Sequence, residues 1–204
     1  AIDFQIQPSG LFGGAGNDTY ILEAAGDRVY ETTTATSGIN AGGIDLIRSA
    51  VALNLSATAG LFFVEHLTLT GTGALAATGN ALANRLTGNT GNNQLNGGNG
   101  NDTLAGGAGA DSFVFNTALG PTNIDRITDF NVAADTIRLA KAVFTGLATG
   151  LLPANALALN ATGQATDALD RIIYETDTGR LSFDPDGTGP AAGPGRRPLP
   201  LPPG

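Results

Sequence analysis

Aspartate recurs at one position of short glycine-rich segments. Each segment has Gly at its first position, Asp at its sixth and a large apolar residue at its eighth: GGAGNDTYI (13–21), GGNGNDTLA (97–105) and GGAGADSFV (106–114). Glycine permits turns whose backbone carbonyls face a common point, and the carboxylates of Asp18, Asp102 and Asp111 add negative charge. Because Ca²⁺ takes about six to eight oxygen ligands in flexible geometry, the pattern predicts calcium sites at these turns.

The two later segments belong to a continuous array of repeats. From Gly79 the chain reads as four nonapeptides in one phase, 79–87, 88–96, 97–105 and 106–114, with a degenerate copy at 70–78. In the first two nonapeptides the sixth position is Asn84 and Asn93. Their amide oxygens can ligate a cation without adding charge. The alternative is a structural ladder of asparagines, and the sequence leaves both interpretations open.

The array also indicates which elements hold these turns. Nine residues form one turn and one short strand, so two nonapeptides make one flattened coil of about 18 residues, and coils stack as parallel strands about 4.8 Å apart. The apolar eighth positions then form a thin core: Leu86, Leu95, Leu104 and Phe113. We expect one calcium between turns 88–93 and 106–111, with Asp111 as a direct ligand, and a weaker site between 79–84 and 97–102.

The candidate ligands are the carbonyl and side-chain oxygens of these turns. The repeats supply Gly13, Gly14, Gly16, Asp18, Asn84, Gly88, Thr90, Asn93, Gly97, Gly98, Asn99, Gly100, Asp102, Gly106, Gly107, Ala108, Gly109 and Asp111. The isolated copy at 13–21 needs a partner turn, which the repeat pattern does not identify.

Composition excludes several other kinds of site. The 204 residues include no Cys and one His, and the formal net charge is −8. Thiolate and multi-histidine metal sites are therefore excluded, and broad binding to nucleic acid is disfavoured. There is no apolar run of about 18 residues that would predict a membrane span. The start of the chain has neither Met nor a signal-peptide pattern, so a fragment or a processed product is expected. No clustered nucleophile, base or carboxylate pair predicts an enzyme.

The repeat segments resemble the nonapeptides of the repeats-in-toxin (RTX) family, also called haemolysin-type calcium-binding repeats. ADSFVF followed by DRITDF and ADTIRL is similar to the segment that closes the family's β-roll, and RIIYETDTGRLSFDPDGTG is similar to its C-terminal hairpin region. The resemblance covers roughly residues 11–190. It implies an all-β fold, a right-handed parallel β-roll (β-helix) with Ca²⁺ between stacked turns and a C-terminal β-hairpin. It also implies that Asp125 or Asp129 caps the last calcium site.

The same resemblance implies a function. RTX modules lie in larger bacterial proteins exported by type I secretion, so we expect a non-enzymatic module that binds calcium ions, folds outside the cell and supports an upstream domain. The alternative is a module that binds a polysaccharide or a cell surface. Four parts are predicted: 1–69 with the isolated repeat, 70–122 with the array, 123–186 with closing strands and hairpin, and a Pro/Gly-rich tail, 187–204, that is extended or disordered.

Overall fold

The structure, a computed structural model, describes residues 11–31, 39–40, 42–57, 61–120, 122–175, 180–184 and 197–199. Within these ranges there is one short 3-10 helix, Ala154–Ala156, and none of the helical structure has the length and hydropathy that crossing a membrane requires. The strands are β1 (Leu11–Phe12), β2 (Thr19–Leu22), β3 (Val29–Tyr30), β4 (Leu46–Ser49), β5 (Leu53–Asn54), β6 (His66–Leu69), β7 (Ala76–Thr78), β8 (Arg85–Thr87), β9 (Gln94–Asn96), β10 (Thr103–Ala105), β11 (Ser112–Phe115), β12 (Arg126–Ile127), β13 (Thr136–Leu139), β14 (Leu157–Asn160), β15 (Ile172–Glu175), β16 (Arg180–Phe183) and β17 (Arg197–Leu199).

Most of these strands form two parallel sheets that the chain visits alternately. One sheet has six strands in the order β12-β10-β8-β6-β4-β2, and the other has five in the order β13-β11-β9-β7-β5. Every pairing in both sheets is parallel. Each coil from β4 onward therefore gives one strand to each sheet, and the prediction of an all-β parallel roll is confirmed.

The repeats stack with the predicted register. Arg85 pairs with Thr103 and Gln94 with Ser112, in each case 18 residues further along the chain. Burial alternates along these three-residue strands, so that only the central residue of each points inward. The inward residues are fully buried, and they are Leu86, Leu95, Leu104 and Phe113. One apolar residue per nonapeptide is enough because the coil is flat and the two sheets face each other.

The C-terminal part forms a separate four-stranded sheet that shares the core of the roll. β14 pairs parallel with β15, and β15 and β16 form the predicted hairpin, whose turn at 176–179 lies outside the described residues. Phe144 meets Phe183 edge-on with ring centroids 5.2 Å apart, and both belong to the main apolar cluster. Of the predicted tail, 197–199 forms β17 against β16, and the rest lies outside the described residues. The four-part division stays a prediction.

Candidate metal centres

In each sheet, acidic and amide side chains form a column along the N-terminal ends of the strands. The strand pairing aligns the residues that directly precede the strands, one per coil. Along the six-stranded sheet they are Asp18, Asp45, Glu65, Asn84, Asp102 and Asp125. Along the five-stranded sheet the corresponding column contains Asn93, Asp111 and Asp135. The sixth positions of the repeats are therefore stacked, as the 18-residue coil predicts.

Each carboxylate of the array is oriented by the coil before it. Asn84 N donates to Asp102 Oδ1 over 2.8 Å, and Asn93 N donates to Asp111 Oδ1 over 2.7 Å. The same bond continues into the closing segment, where Asp102 N donates to Asp125 Oδ1 over 3.2 Å. One oxygen of each carboxylate is thus fixed by a backbone N–H, which directs the second oxygen into its own turn.

The second oxygen of Asp102 and of Asp111 has no protein partner. Both Oδ2 atoms are buried without a hydrogen bond, in residues that are 2% and 1% exposed. Gly97 and Gly106 make the necessary room, because a Cβ on either would overlap the Oδ2 atom of its own turn. An unpartnered buried acceptor costs about 1–3 kcal/mol, and more when charged. A hard cation bound there would remove that cost, so the donor set fits Ca²⁺.

Burial also raises the pKa values of these carboxyl groups. It raises the pKa of Asp102 from 3.8 to about 6. Burial, and then repulsion by the Asp102 carboxylate, raises the pKa of Asp125 to about 7. For Asp111 burial is again the main cause of a raised pKa, and Asp135 and Asp129 add to it. Raised values mean that the ionised forms lack a countercharge, which a bound cation would supply.

The glycines two residues before the aspartates hold a backbone that other residues rarely adopt. Gly100 and Gly109 have φ angles of 124° and 120°. They also stack closely on the preceding coil, because a Cβ on Gly100 would meet Leu82 O and one on Gly109 would meet Gly91 O. The Gly-x-Asp pattern therefore has two causes, a left-handed turn and close contact between the backbones of neighbouring coils.

The other predicted residues of these turns divide between turn starts and turn tips. Gly88, like Gly97 and Gly106, is buried at the start of its turn, whereas Thr90, Asn99 and Ala108 lie exposed at the tips. Gly98 and Gly107 follow the turn starts with positive φ angles of 94° and 88°. The structure thus places the predicted residues of the array on stacked turns, and their ligand roles stay predictions.

Asn84 and Asn93 form hydrogen bonds through both the oxygen and the nitrogen of the side-chain amide. Asn84 Oδ1 accepts from Asn80 N over 2.7 Å, and Asn84 Nδ2 donates to the carbonyls of Val64 and Glu65 over 3.0 and 3.2 Å. Asn93 repeats the arrangement: its Oδ1 accepts from Asn89 N and its Nδ2 donates to Gly73 O. This geometry favours the structural ladder for Asn84 and Asn93 over ligation.

The closing segment brings three aspartates to the array. Asp125 stacks beside Asp102, and Asp129 accepts from Gly106 N and Gly107 N, both over 2.9 Å. Sequence reasoning missed Asp135, whose Oδ1 accepts from Asp111 N over 2.9 Å. The signal was available: Asp125-Arg-Ile and Asp135-Thr-Ile repeat the Asp-x-apolar end of the nonapeptide without its glycines.

A further acidic cluster surrounds the isolated repeat. Asp18, Glu31 and Asp45 each offer an oxygen within 4.8 Å of the others. Burial, reinforced by Asp45 and then by Asp18 and Glu65, raises the pKa of Glu31 from 4.5 to about 9. Glu31 and Asp45 were both missed from the sequence. Gly43-Ile-Asp45-Leu-Ile shows the Gly-x-Asp-x-apolar signal of the repeats, but nothing in the repeat pattern marks Glu31.

The repeat segments match a known protein family. A family model for the RTX calcium-binding nonapeptide repeat matches the chain in four copies, over residues 11–29 and 78–113. The matched ranges contain Asp18, Asp102 and Asp111 and end before the closing segment. A search of curated proteins finds no significant match.

Proposed function

Because the chain carries RTX calcium-binding nonapeptide repeats in a parallel β-roll, we propose that it is a calcium-dependent folding module of a larger secreted protein. The observation that carries this proposal is the pair of buried, unpartnered oxygens, Asp102 Oδ2 and Asp111 Oδ2, which lie in turns of identical register. They are the direct ligand atoms that we assign to Ca²⁺. The stacked turn backbones would complete each coordination shell.

Acidic groups accumulate on the side of the closing segment. Asp102 has Asp125 beside it, and Asp111 has Asp129 and Asp135 nearby. On the other side, the amide oxygens of Asn84 and Asn93 already accept hydrogen bonds from backbone N–H groups of their own turns. We therefore assign the stronger cation attraction to the closing segment, which makes calcium binding depend on the correct docking of residues 123–139.

Calcium binding and folding are coupled in this proposal. A thin core of one apolar residue per nonapeptide buries little surface, whereas the folded turns bring carboxylates and carbonyls together. Metal binding to a site that exists only in the folded chain adds its free energy to folding. Few charged ligands per turn place the expected dissociation constants near 10⁻⁴–10⁻³ M, roughly the range of extracellular calcium modules.

Far-UV circular dichroism tests this proposal directly. In chelator the full chain should give a largely disordered spectrum, and millimolar Ca²⁺ should convert it to a β spectrum. Mg²⁺ should substitute poorly, because it requires a tight octahedron at about 2.1 Å and retains its waters. A β spectrum that does not change with excess chelator would refute calcium-dependent folding.

The proposed setting is outside a bacterial cell, where calcium of that concentration is available. In this setting the module remains unfolded until export and then stabilises the protein that carries it. We assign it no catalytic step of its own. Export competence can be tested by fusing the chain to a reporter and measuring its appearance in the medium of a cell that has a type I secretion system.

A basic stripe on the roll supports the second candidate function, binding of an anionic polysaccharide. His66, Arg85 and Arg126 are aligned across the outer face of the six-stranded sheet, with Thr103 between the two arginines. Both arginine side chains are exposed. Retention of the calcium-loaded chain on a polyuronate column, lost in Arg85→Ala with Arg126→Ala, would support this role, and passage of the parent chain through the column at low salt would exclude it.

A further inference from the structure

We propose that Asp18, Glu31 and Asp45, together with the hydroxyl of Tyr20, form a separate calcium site at the N-terminal end of the roll. Asp18 belongs to the isolated repeat, where the sequence already predicts calcium, whereas Glu31 and Asp45 lie outside every repeat, so this site extends the proposed function, on which it rests. It also supplies the partner turn that the isolated repeat lacks.

Four carboxylate oxygens of this cluster are buried without a hydrogen-bond partner. Glu31 and Asp45 are fully buried, and neither oxygen of Glu31 has a hydrogen-bond partner. Asp18 Oδ2 and Asp45 Oδ2 are likewise buried and unpartnered. Within the described part of the chain, this is the one cluster of three acidic side chains whose oxygens lie within 4.8 Å of one another.

An uncharged group points to the same place. The Tyr20 hydroxyl is buried without a partner in a residue that is only 4% exposed. In the array this eighth position holds Leu104 or Phe113, which have no polar atom. Buried tyrosine hydroxyls usually find a partner. A Cβ on Gly13 would meet Tyr20 OH, Asp18 Oδ2 and Glu31 Oε1 together, so these three oxygens converge beside one glycine.

The backbone around the cluster has the form of a repeat turn. Gly43, two residues before Asp45, has a φ of 123°, and Gly16, two residues before Asp18, has a φ of 110°. Gly16 N donates to Gly42 O over 3.0 Å, and a Cβ on Gly43 would meet Gly16 O. Turns 13–18 and 42–45 therefore stack as Gly100 stacks on Leu82, although the second turn has no repeat sequence.

The carboxylates are also fixed by the same backbone bonds as in the array. Asp18 N donates to Asp45 Oδ1, and Asp45 N donates to Glu65 Oε2, both over 2.9 Å. These bonds hold one oxygen of Asp45 away from the cluster and leave Oδ2 within it. Gly13 directly follows β1 and Glu31 directly follows β3. Because these two strands pair, Glu31 lies beside Gly13 and reaches the cluster from there.

The donor set selects the ion. Three carboxylates and a phenol offer only hard oxygen ligands. Once the bound cation has displaced the proton of Glu31, the three carboxylates carry more negative charge than the single aspartate of an array turn. Ca²⁺ accepts such ligands in irregular geometry, whereas Mg²⁺ requires an octahedron and retains waters. Because affinity rises with the number of charged ligands, the site should bind calcium more tightly than the array and should join strands β1 and β3 to the roll.

Terbium luminescence tests the site through Tyr20. The chain has three Tyr and no Trp, so excitation near the tyrosine band sensitises Tb³⁺ bound close to a tyrosine. The calcium-loaded chain titrated with Tb³⁺ should emit strongly, and Tyr20→Phe should remove most of the emission while the β spectrum remains. Tyr30 directly precedes Glu31, so the comparison is made in a Tyr30→Phe background. Emission that Tyr20→Phe leaves unchanged in that background would place the ion elsewhere and overturn the proposal.

Calorimetric titration with Ca²⁺ tests the carboxylates. Glu31→Gln keeps the shape of the side chain and should weaken the tightest class of sites by at least about tenfold. Glu23→Gln is the matched control, because it makes the same change at an exposed position of the same segment. Binding by Glu31→Gln that equals that of Glu23→Gln would mean that Glu31 is a buried acid rather than a ligand.

Asp111→Asn separates this proposal from the proposed function. It should weaken the array and raise the calcium needed for folding, while the tight class of sites and the Tyr20-sensitised emission persist at saturating Ca²⁺. If the tight class disappeared in Asp111→Asn and persisted in Glu31→Gln, the array would hold it and the N-terminal site would be refuted. Loss of calcium-dependent folding in every variant and in the parent chain would instead refute the proposed function.

Discussion

The first and second halves of the repeat array share one register but stabilise their turns by different means. In turns 79–84 and 88–93 the second and sixth positions are asparagines, whose amide groups donate to carbonyls of the preceding coil. In turns 97–102 and 106–111 the second position is glycine and the sixth is aspartate, which leaves a buried oxygen without a partner. Side-chain hydrogen-bond donors of the first half thus stand where the second half has carboxylate oxygens without a partner.

The backbones of the two halves differ accordingly. Gly100 and Gly109 have φ angles near 120°, whereas neither Leu82 nor Gly91 at the equivalent positions has a positive φ. Gly91 could adopt the left-handed turn but does not, so the turn type follows the polar residues rather than the glycine content. The comparison teaches that GNxxxN marks a turn whose asparagine amides are hydrogen-bonded to the backbone, whereas GGxGxD marks one whose carboxylate keeps a buried oxygen without a partner.

Calcium removal should have the largest effect on the difference in stability between the two halves of the array. In hydrogen exchange followed by mass spectrometry, Ca²⁺ added to chelator-treated chain should increase protection most in peptides covering 97–128, because their turns contain the unpartnered carboxylates. Peptides covering 79–96 should gain less and retain more protection in chelator. An equal gain in both halves would show that the asparagine turns have no stability independent of the metal.

Replacing Asp111 should have the next largest effect. Asp111→Ala removes both the ligand oxygen and the acceptor for Asn93 N, so the calcium midpoint of folding should rise by about tenfold or more. Asp111→Asn should be milder because the amide oxygen remains. The midpoints can be read from circular dichroism titrations, with Glu23→Gln as a control. A midpoint for Asp111→Ala within twofold of the control would contradict the assignment.

The reverse exchange should create a calcium requirement where none is expected. Asn84→Asp removes the two donations to Val64 O and Glu65 O and should lower the free energy of unfolding by about 1–3 kcal/mol at a Ca²⁺ concentration just sufficient for folding. Saturating Ca²⁺ should restore part of the loss. Asn101→Asp is the matched control, because the exposed Asn101 only accepts, from Ile124 N. Equal thermal stability of the two variants would refute the donor role of Asn84.

A change in pH should shift the folding equilibrium in opposite directions with and without calcium. Folding raises the pKa of Asp102 to about 6 and of Asp125 to about 7, from 3.8. Between pH 3.8 and about 7 the folded state binds more protons than the unfolded state, so in chelator the small folded fraction should fall further as pH rises through this window. In Ca²⁺ it should rise instead, because ionised ligands bind the metal. Folded fractions from circular dichroism that change with pH in the same direction in chelator and in Ca²⁺ would refute the shared site for protons and calcium.

Leu82→Gly should have the smallest effect. The position resembles the glycine of the repeat motif, yet its turn needs no positive φ. The substitution should therefore lower stability by only about 0.5–1 kcal/mol, through the greater freedom of the unfolded chain, and should leave the calcium midpoint unchanged. A lower midpoint in the calcium titration would mean that Leu82 blocks a site at turn 79–84.

The phase of the repeats was sufficient to predict the two sheets and their stacking. Gly at the first position and an apolar residue at the eighth recur every nine residues, so both the turn and the inward residue are fixed for each coil. The aspartates of the array were predictable for the same reason. The difference between the asparagine turns and the aspartate turns was not predictable. The hydrogen-bond partners of Asn84 lie in residues 64–65, where no repeat is visible.

The residues that sequence reasoning missed lie where the period changes. Thr103 pairs with Arg126 and Ser112 with Thr136, at offsets of 23 and 24 residues instead of 18. Loops of irregular length therefore separate Asp135 from the array. Glu31 follows a two-residue strand, β3, and its role depends on the pairing of that strand with β1. β17 could not be foreseen either, since a proline within a short run argues against a strand.

The alternation of strands between the two sheets sets a parity rule for the length of the array. One nonapeptide moves the chain from one sheet to the other, so gain or loss of a single copy would transfer every later aspartate to the other sheet. A copy gained or lost between Asp102 and Asp125 would separate these two residues. Two copies restore the original edge. We expect lineages of this module to lengthen or shorten by 18 residues at a time, and a duplicated 97–114 segment to be accepted where a duplicated 106–114 is not.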